Sequence, residues 1–185
     1  MNNLKSYLIT DPYFYTHDLD TFISKLTASF KKHKPDFALY RDKEFEDYES
    51  FAPHFVKLCK EHQVKAILHN KAPLAYQLGA YGVHYSGDKL CSIGTTSSKL
   101  FQILSTHSLA EIISAKQLGI DAVTFSPIFE TPNKGEPTGI EVLKTIVKQS
   151  PLPIIALGGI IDESQIAEIE KSQAWAFASI RYFTK

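Results

Sequence analysis

The chain has few residues of several types, and each shortage excludes some classes of protein. Among 185 residues there are two cysteines, one methionine and one tryptophan. Cys59 and Cys91 lie far apart and outside any Cys-x-x-Cys pair, so neither a disulfide scaffold nor a redox motif is indicated. Two inert thiols are typical of a reducing compartment, and we expect a cytoplasmic protein.

The sequence also lacks an excess of charge and any long apolar run. Lys plus Arg and Asp plus Glu number 20 each, with a pI near 7.1. This balance gives neither the basic footprint of a nucleic-acid-binding protein nor an acidic tail. The apolar runs are too short to span a bilayer, and residues 1–5 lack the apolar core of a signal peptide. We therefore expect neither a nucleic-acid nor a membrane partner.

What the sequence does contain is a repeated alternation of β-prone and helix-periodic segments. A chain of this length can bury one sizeable core. Between the β-prone segments, Asp18, Ser108 and Asp162 are placed to cap helices. The eight predicted strands are residues 4–10, 37–40, 65–69, 82–86, 100–105, 122–126, 153–157 and 174–179.

This alternation has no linker or composition break, so it predicts one domain over residues 1–185, a (β/α)8 TIM barrel. A doubly wound sheet is the alternative, but no Gly-x-Gly-x-x-Gly follows the first strand. Too few residues follow the eighth strand for a last helix, so we expect that helix to be missing. The exposed flank should then be covered by a symmetric partner, as in a homodimer, or by the segment around Tyr182 and Phe183.

The stretch from Asp121 to Gly139 joins an apolar strand to a loop rich in hydroxyl, amide and ammonium groups. In this loop Thr131, Asn133 and Lys134 resemble a clamp for an anion. Loops at the carboxyl ends of parallel strands are where α/β proteins hold their ligands. A solvated surface loop is the alternative interpretation.

Further polar and cationic residues follow the other predicted strands. In a barrel these positions converge on one mouth, which should be cationic and suit a phosphate. Glycines and a serine after strands seven and eight match the usual phosphate position of such barrels. The residues are Arg41, Lys43, Asn70, Lys71, His84, Asp88, His107, Gly158, Gly159, Ser179 and Arg181.

Several motifs together resemble a known family. They are Tyr7-Leu-Ile-Thr-Asp11, Tyr40-Arg-Asp-Lys43, Gly82-Val-His84, Ser-Thr-His107-Ser, Ser126-Pro-Ile-Phe-Glu-Thr-Pro-Asn-Lys134 and Ile154-Ile-Ala-Leu-Gly-Gly-Ile160. Their order over nearly the whole chain resembles the thiamine phosphate synthase/TenI family. The resemblance implies a TIM barrel that binds a small phosphorylated thiazole or pyrimidine, with the thiazole phosphate held after strands seven and eight.

One activity of that family is the synthase reaction, which joins hydroxymethylpyrimidine diphosphate to thiazole phosphate. The resemblance implies Mg²⁺ on carboxylates after strands three and four. Here Lys71 and Lys89 stand at the matching positions, and Asp88 lies one residue early. Two ammonium groups disfavour a dication, so we expect no metal and no cofactor, with Mg²⁺ required only if the synthase alternative holds.

The TenI branch instead moves a proton on thiazole carboxylate phosphate, which requires an acid/base group and no metal. His107 stands where that branch carries its histidine, so we expect tautomerase-like chemistry with His107 as the catalytic residue. A synthase is the first alternative and a non-catalytic binding protein the second. The predicted substrate-binding residues are Arg41, Lys43, Asn70, Thr131, Asn133 and Lys134, and the predicted phosphate-binding residues are Gly158, Gly159 and Ser179.

Overall fold

Eight parallel strands close into one barrel in the computed structural model, which describes residues 4–88, 99–132 and 134–185. Each strand pairs with the next along the chain, and the eighth pairs with the first, as in a TIM barrel. The predicted fold class is therefore confirmed. The strands are β1 (Lys5–Ile9), β2 (Phe37–Tyr40), β3 (Lys65–His69), β4 (Gly82–Tyr85), β5 (Phe101–Thr106), β6 (Ala122–Phe125), β7 (Ile154–Leu157) and β8 (Ala176–Ser179).

Helices follow the strands and cover the outside of the barrel. One of them, the short helix after β1, is not indicated by the sequence pattern, because its four residues are too few to show a helical period. In the described part of the chain, the helices are α1 (Pro12–Tyr15), α2 (Leu19–His33), α3 (Tyr48–Glu61), α4 (Ala72–Gln77), α5 (Leu109–Gln117), α6 (Gly139–Gln149) and α7 (Glu163–Lys171). None of them is long and apolar enough to cross a membrane.

The three predicted helix caps are present, with one difference in detail. Asp18, Ser108 and Asp162 each accept a hydrogen bond from the N–H group three residues on. In a capping box, the acidic or amide side chain at that third position binds the N–H group of the cap itself. Here the carboxylate of Glu111 and the amide oxygen of Gln165 accept from the residue before the cap, at 2.6 and 2.7 Å. Both side chains therefore fix the loops that enter their helices.

The inner face of the sheet forms its own hydrophobic cluster, separate from the layer between strands and helices. Side chains alternate between the two faces of each strand, so every second residue points into the barrel. The inner cluster consists of Tyr7, Ile9, Phe37, Leu39, Ile67, Ile103, Ala122, Ile155, Ala176 and Ala178. Toward the carboxyl ends of the strands the inner positions become polar, as at His69, His84 and Ser105.

A short 3₁₀ helix, Arg181–Thr184, packs on the flank after β8. Phe183 is only 1% exposed and stacks on Phe177, with ring centroids 5.9 Å apart. The Ser29 hydroxyl on α2 donates to the carbonyl of Phe183 at 3.0 Å, which ties the 3₁₀ helix to α2. Of the two predicted covers, the structure shows the segment around Tyr182 and Phe183, while a homodimer stays a prediction.

The cysteine prediction is tested at one position only. Cys59 on α3 is buried, and burial raises the pKa of its thiol, which keeps the group protonated and unreactive. Cys91 lies outside the described residues.

Phe183→Ala should destabilise the protein strongly, because it removes a fully buried ring from the cover of the flank. A loss of about 3–5 kcal/mol in the free energy of unfolding is expected from urea denaturation. Tyr13→Ala is the control, since the Tyr13 side chain is 82% exposed and should cost little. Similar stabilities for the two variants would contradict this account of the flank.

Candidate active site

The mouth of the barrel carries a cationic group of residues after β2. The Arg41 N–H donates to the Thr10 hydroxyl at 2.9 Å, and its guanidinium lies 3.9 Å from the Asp11 carboxylate. Burial, with a smaller contribution from the positive charges of Arg41 and Lys43, lowers the pKa of His69 from 6.5 to about 4. Both predicted anion-binding cations are therefore close enough to β3 to act on its last residue. Lys43 is solvent-exposed and so available to a ligand.

Asn70 lies directly after β3 and braces the neighbouring loop. Its side-chain oxygen accepts from the Ser86 N–H and its amide nitrogen donates to the Ser86 hydroxyl, both at 2.9 Å. His69 contacts the same hydroxyl through Nε2 at 3.0 Å. In the structure, the Asn70 side chain joins two loops of the mouth. Its predicted contact with a substrate stays a prediction.

A chain of polar side chains crosses the barrel interior below the mouth. The Tyr7 hydroxyl lies 3.1 Å from His84 Nδ1, and His84 Nε2 lies 3.1 Å from the Ser105 hydroxyl. Burial lowers the pKa of His84 to about 3 and raises the pKa of Tyr7 well above its usual value. Both groups are therefore neutral at physiological pH. The sequence places them on inner faces of strands but does not show that they bond.

Thr124, on the adjacent strand β6, is the register partner of Ser105. It is fully buried, and its hydroxyl has no hydrogen-bond partner among the described residues. A buried hydroxyl without a partner costs about 1–3 kcal/mol, so this position is unusual in a barrel core.

His107 is exposed at the end of β5, with its ring orientation fixed. Its Nδ1 lies 2.8 Å from the carbonyl oxygen of Ser126, which can only accept. Nδ1 therefore carries the proton in the neutral ring, and Nε2 carries the lone pair. This arrangement leaves Nε2 able to take up a proton, as the predicted acid/base role requires.

Some of the polar groups in the loop after β6 form hydrogen bonds within the loop itself. The Thr131 hydroxyl donates to the carbonyl of Phe129 at 2.9 Å, so its proton is not offered to a ligand. Lys134 is exposed, and its backbone N–H donates to the carbonyl of Thr131 at 3.2 Å. Asn133 lies outside the described residues. Among the described side chains of the predicted clamp, the Lys134 ammonium group is therefore the donor that remains for a ligand.

Gly158 and Gly159 allow the loop after β7 to pass close to the loop after β6. Both have positive φ, 105° and 71°, a region that favours glycine. A Cβ at Gly158 would lie 2.7 Å from Pro127 Cα, and one at Gly159 would lie 2.5 Å from the carbonyl oxygen of Glu130. Within residues 4–88, 99–132 and 134–185, neither glycine N–H donates to a protein acceptor. The two amides are thus available to an anion.

The Ser179 hydroxyl is used within the protein, and the predicted phosphate contact of this residue stays a prediction. Its hydroxyl donates to the carbonyl of Ile160 at 2.7 Å and accepts from the Tyr182 N–H at 3.1 Å. The residue is buried, and it joins β8 to the 3₁₀ helix. Any contact of Ser179 with a phosphate would have to come from its backbone.

The mouth carries an ammonium group where the family resemblance implies a ligand of Mg²⁺, and the expected absence of a metal stays a prediction. The Lys71 ammonium group, at one of the matching positions, lies 3.0 Å from the Glu49 carboxylate on α3. An ammonium group offers only hydrogen-bond donors, whereas Mg²⁺ requires oxygen ligands. Among the described residues, no three His, Cys, Asp or Glu side chains are placed to hold a metal. The Asp88 carboxylate partly offsets the lowering of the His69 pKa. Lys89, at the other matching position, lies outside the described residues.

The pKa of His69 predicts acid sensitivity. It falls from 6.5 to about 4 on folding, so between these values the unfolded chain binds a proton that the folded protein does not. The free energy of unfolding should therefore fall as the pH is lowered from about 6.5 to 4, by about 3 kcal/mol from this group. Urea denaturation from pH 7 to pH 4.5 should give a shallower dependence for His69→Gln than for His54→Gln, an exposed control. Equal slopes would contradict the prediction.

Thr124→Val should stabilise the protein by about 1–3 kcal/mol, because a methyl group replaces a buried hydroxyl that has no partner in the described part of the chain. Thr106→Val is the matched control, since the equally buried Thr106 hydroxyl donates to the carbonyl of Thr124 at 2.8 Å. The control should lose about 1 kcal/mol. Thermal or urea unfolding measures both, and a loss of stability in Thr124→Val would refute the assignment.

Comparisons with known proteins identify the family of this chain. The family model described as thiamine monophosphate synthase (TMP-TENI) matches residues 6–183. The chain is 34% identical over 130 residues to a thiamine-phosphate synthase of Pelotomaculum thermopropionicum, a match covering 67% of this chain and 59% of that protein. It is 35% identical over 137 residues to a thiamine-phosphate synthase of Listeria welshimeri, covering 70% and 65%. These matches therefore span less than two thirds of either relative.

Among solved structures, a thiamine phosphate pyrophosphorylase from Pyrococcus furiosus superposes with a TM-score of 0.83. It is 21% identical, and the match covers 97% of this chain and 86% of the other. At that identity the likeness shows the fold alone. The family model, however, covers nearly the whole chain, and the chain belongs to the thiamine monophosphate synthase (TMP-TENI) family.

Proposed function

We propose that this protein is a thiamine-phosphate synthase, which joins hydroxymethylpyrimidine diphosphate to thiazole phosphate. The proposal rests on the cationic side chains at the mouth, where Arg41 and the exposed Lys43 follow β2 and add to burial in lowering the pKa of His69. Positive charge at this position attracts a diphosphate. The names of the relatives support the synthase, which is the alternative to the tautomerase-like chemistry expected from the sequence.

In this reaction the bond between the pyrimidine methylene carbon and the diphosphate oxygen breaks, and diphosphate leaves with the electron pair. The thiazole nitrogen then forms a bond to the methylene carbon, which gives the thiazolium product. The negative charge of the leaving group grows as the bond breaks, so fixed positive charge nearby lowers the barrier. Arg41 can bind two phosphate oxygens at once through its planar guanidinium, while Lys43 acts as a point charge. We assign no step to a metal ion.

The phosphate of the thiazole substrate would be held by the backbone N–H groups of Gly158 and Gly159. These donors point from a turn with positive φ, which is a common way to bind a phosphate. The phosphate is unchanged by the reaction, so its role is to hold the thiazole nitrogen near the methylene carbon. Fixed backbone donors suit this role because they lose no side-chain entropy on binding.

Thiazole tautomerase activity is the second candidate, and the orientation of His107 favours it. The contact between Nδ1 and the Ser126 carbonyl leaves the Nε2 lone pair available for proton transfer. A neutral imidazole with one fixed tautomer is suited to moving a proton within a ring. In a synthase the same histidine would act as a hydrogen-bonding group.

Lys43→Ala should lower kcat/KM for thiamine phosphate formation about 10- to 100-fold, because a charge-assisted bond to diphosphate is lost. Lys57→Ala is the matched control, since Lys57 is a 77% exposed lysine on the outer helix α3. Product formation from the two purified substrates measures the effect, with Mg²⁺ and with EDTA.

Two outcomes would contradict the proposed function. Absence of turnover in the wild-type protein under both conditions would exclude a synthase. If thiazole carboxylate phosphate were instead isomerised by the wild-type protein and not by His107→Gln, the tautomerase candidate would replace it. Equal activity of Lys43→Ala and Lys57→Ala would leave the synthase and remove Lys43 from its site.

A further inference from the structure

The loop after β2 carries a carboxylate between its two cations. Asp42 lies directly between Arg41 and Lys43 in the chain. A carboxylate at this place would attract both cations and repel an anion that approaches them. Its side chain is only 6% exposed, however, so the charge is turned away from the solvent. Three further acidic residues of the segment are exposed and screened by water: Glu44, Glu46 and Asp47.

The Asp42 carboxylate has other partners than the cations beside it. Its Oδ1 accepts from the backbone N–H groups of Glu44 and Phe45, both at 3.2 Å, and its Oδ2 lies 2.6 Å from His17 Nε2. In the described part of the chain, no ion pair joins Asp42 to either cationic neighbour. Burial, with a smaller contribution from the charge of Asp42, raises the pKa of Tyr40, which lies in the layer between strands and helices. The carboxylate thus faces that layer.

His17 is held in place by packing as well as by this bond. It lies between α1 and α2, and its ring stacks on Phe45 with centroids 4.1 Å apart and an interplanar angle of 8°. Phe45 in turn packs edge-on against Phe51 of α3, at 5.0 Å. Because an ionised carboxylate can only accept, Nε2 carries a proton and donates it to Asp42. His17 therefore occupies the place that a cation of the loop would otherwise take.

The backbone before His17 is also unusual. Thr16 has a positive φ of 63°, a conformation that β-branched residues rarely adopt. Such a conformation persists where the surrounding structure favours it, and it is frequent at functional sites. Here it turns the chain between α1 and α2, directly before the residue that reaches Asp42.

We propose that His17 is a positioning residue, which holds the Asp42 carboxylate away from Arg41 and Lys43 and so keeps both cations available to an anionic ligand. The identity of that ligand as a diphosphate rests on the proposed function. Without the His17 donor, Oδ2 would be left nearly buried and unpaired among the described residues, which is costly. The carboxylate should then turn to Lys43, because Arg41 already lies 3.9 Å from Asp11.

The effect on the ligand is tested by calorimetric titration with inorganic pyrophosphate. His17→Phe keeps a ring that can stack on Phe45 but removes the donor to Asp42. Its Kd for pyrophosphate should rise about tenfold, because the released carboxylate competes for the same cations. His54→Phe is the matched control, since His54 is an exposed histidine on α3, and it should bind as the wild type does.

A double variant separates this role from a merely structural one. Asp42→Asn keeps a side-chain oxygen for the two backbone N–H groups but carries no charge. In the His17→Phe background it should restore pyrophosphate binding to within about threefold of the wild type, because the competing charge is gone. A double variant that binds no better than His17→Phe would overturn the proposal. So would a single Asp42→Asn variant that loses about tenfold, which decides the matter if His17→Phe does not fold.

The position of the charge is tested without any ligand. An ion pair with Asp42 would stabilise the ammonium form of Lys43, so acetic anhydride should acetylate Lys43 about threefold more slowly in His17→Phe than in the wild type. Lys57 on α3 is the internal reference, and mass spectrometry measures both rates.

The outcomes distinguish the two proposals. An unchanged acetylation rate of Lys43 in His17→Phe would overturn the positioning role and leave the proposed function standing. Wild-type protein that does not bind pyrophosphate would contradict the proposed function, while the acetylation rates would still decide whether His17 holds the carboxylate away from Lys43.

Discussion

Closure of the barrel is the constraint on which the rest of this structure depends. Eight parallel strands leave an interior that side chains must fill without overlap. Large inner residues such as Tyr7 and Phe37 are therefore accompanied by small ones such as Ala176 and Ala178. The tightest point is Gly82, where a Cβ would lie 2.1 Å from the carbonyl oxygen of Phe101. Any side chain there would push β4 away from β5 and so disturb the two strands that hold His84 and Ser105.

The same closure determines the electrostatics of the mouth. A histidine in so full an interior is cut off from water, and burial is the largest cause of the low pKa values of His69 and His84. Neutral imidazoles can hold neighbouring hydroxyl groups without adding charge to the core. The charged groups, Arg41 and Lys43, lie beyond the strand ends instead. A neutral interior below a positive mouth follows from this division.

The sequence predicted the fold well because hydrophobic periodicity reports which face of an element is buried. All eight strands and the caps at Asp18, Ser108 and Asp162 could be placed in this way. The pattern also shows that His84 points inward. It does not show that Tyr7 and Ser105 meet His84, because their pairing depends on strand register and barrel closure, which are tertiary.

The candidate site was less predictable for the same reason. From the sequence, a hydroxyl group in a loop is predicted to be a donor for a ligand even when it donates to a backbone carbonyl in the folded protein. The hydroxyl groups of Thr131 and Ser179 both donate to backbone carbonyls, at 2.9 and 2.7 Å. The residue type of Thr124 gives no sign that its hydroxyl lacks a partner. Charge at the mouth was easier to predict, since long cationic side chains at strand ends, such as Lys43 and Lys134, stay exposed.

The two anion sites of the proposed reaction differ in a way that fits their tasks. One is built from long side chains after β2, and the other from backbone amides after β7. Side chains such as Lys43 can follow a diphosphate as it departs, since an exposed ammonium group is mobile. The amides of Gly158 and Gly159 cannot move in this way, because the loop after β6 packs within 3 Å of where their Cβ atoms would be. A phosphate that stays bound while the other leaves requires this difference in stiffness. In the proposed reaction, the close approach of the two loops would serve catalysis as well as packing.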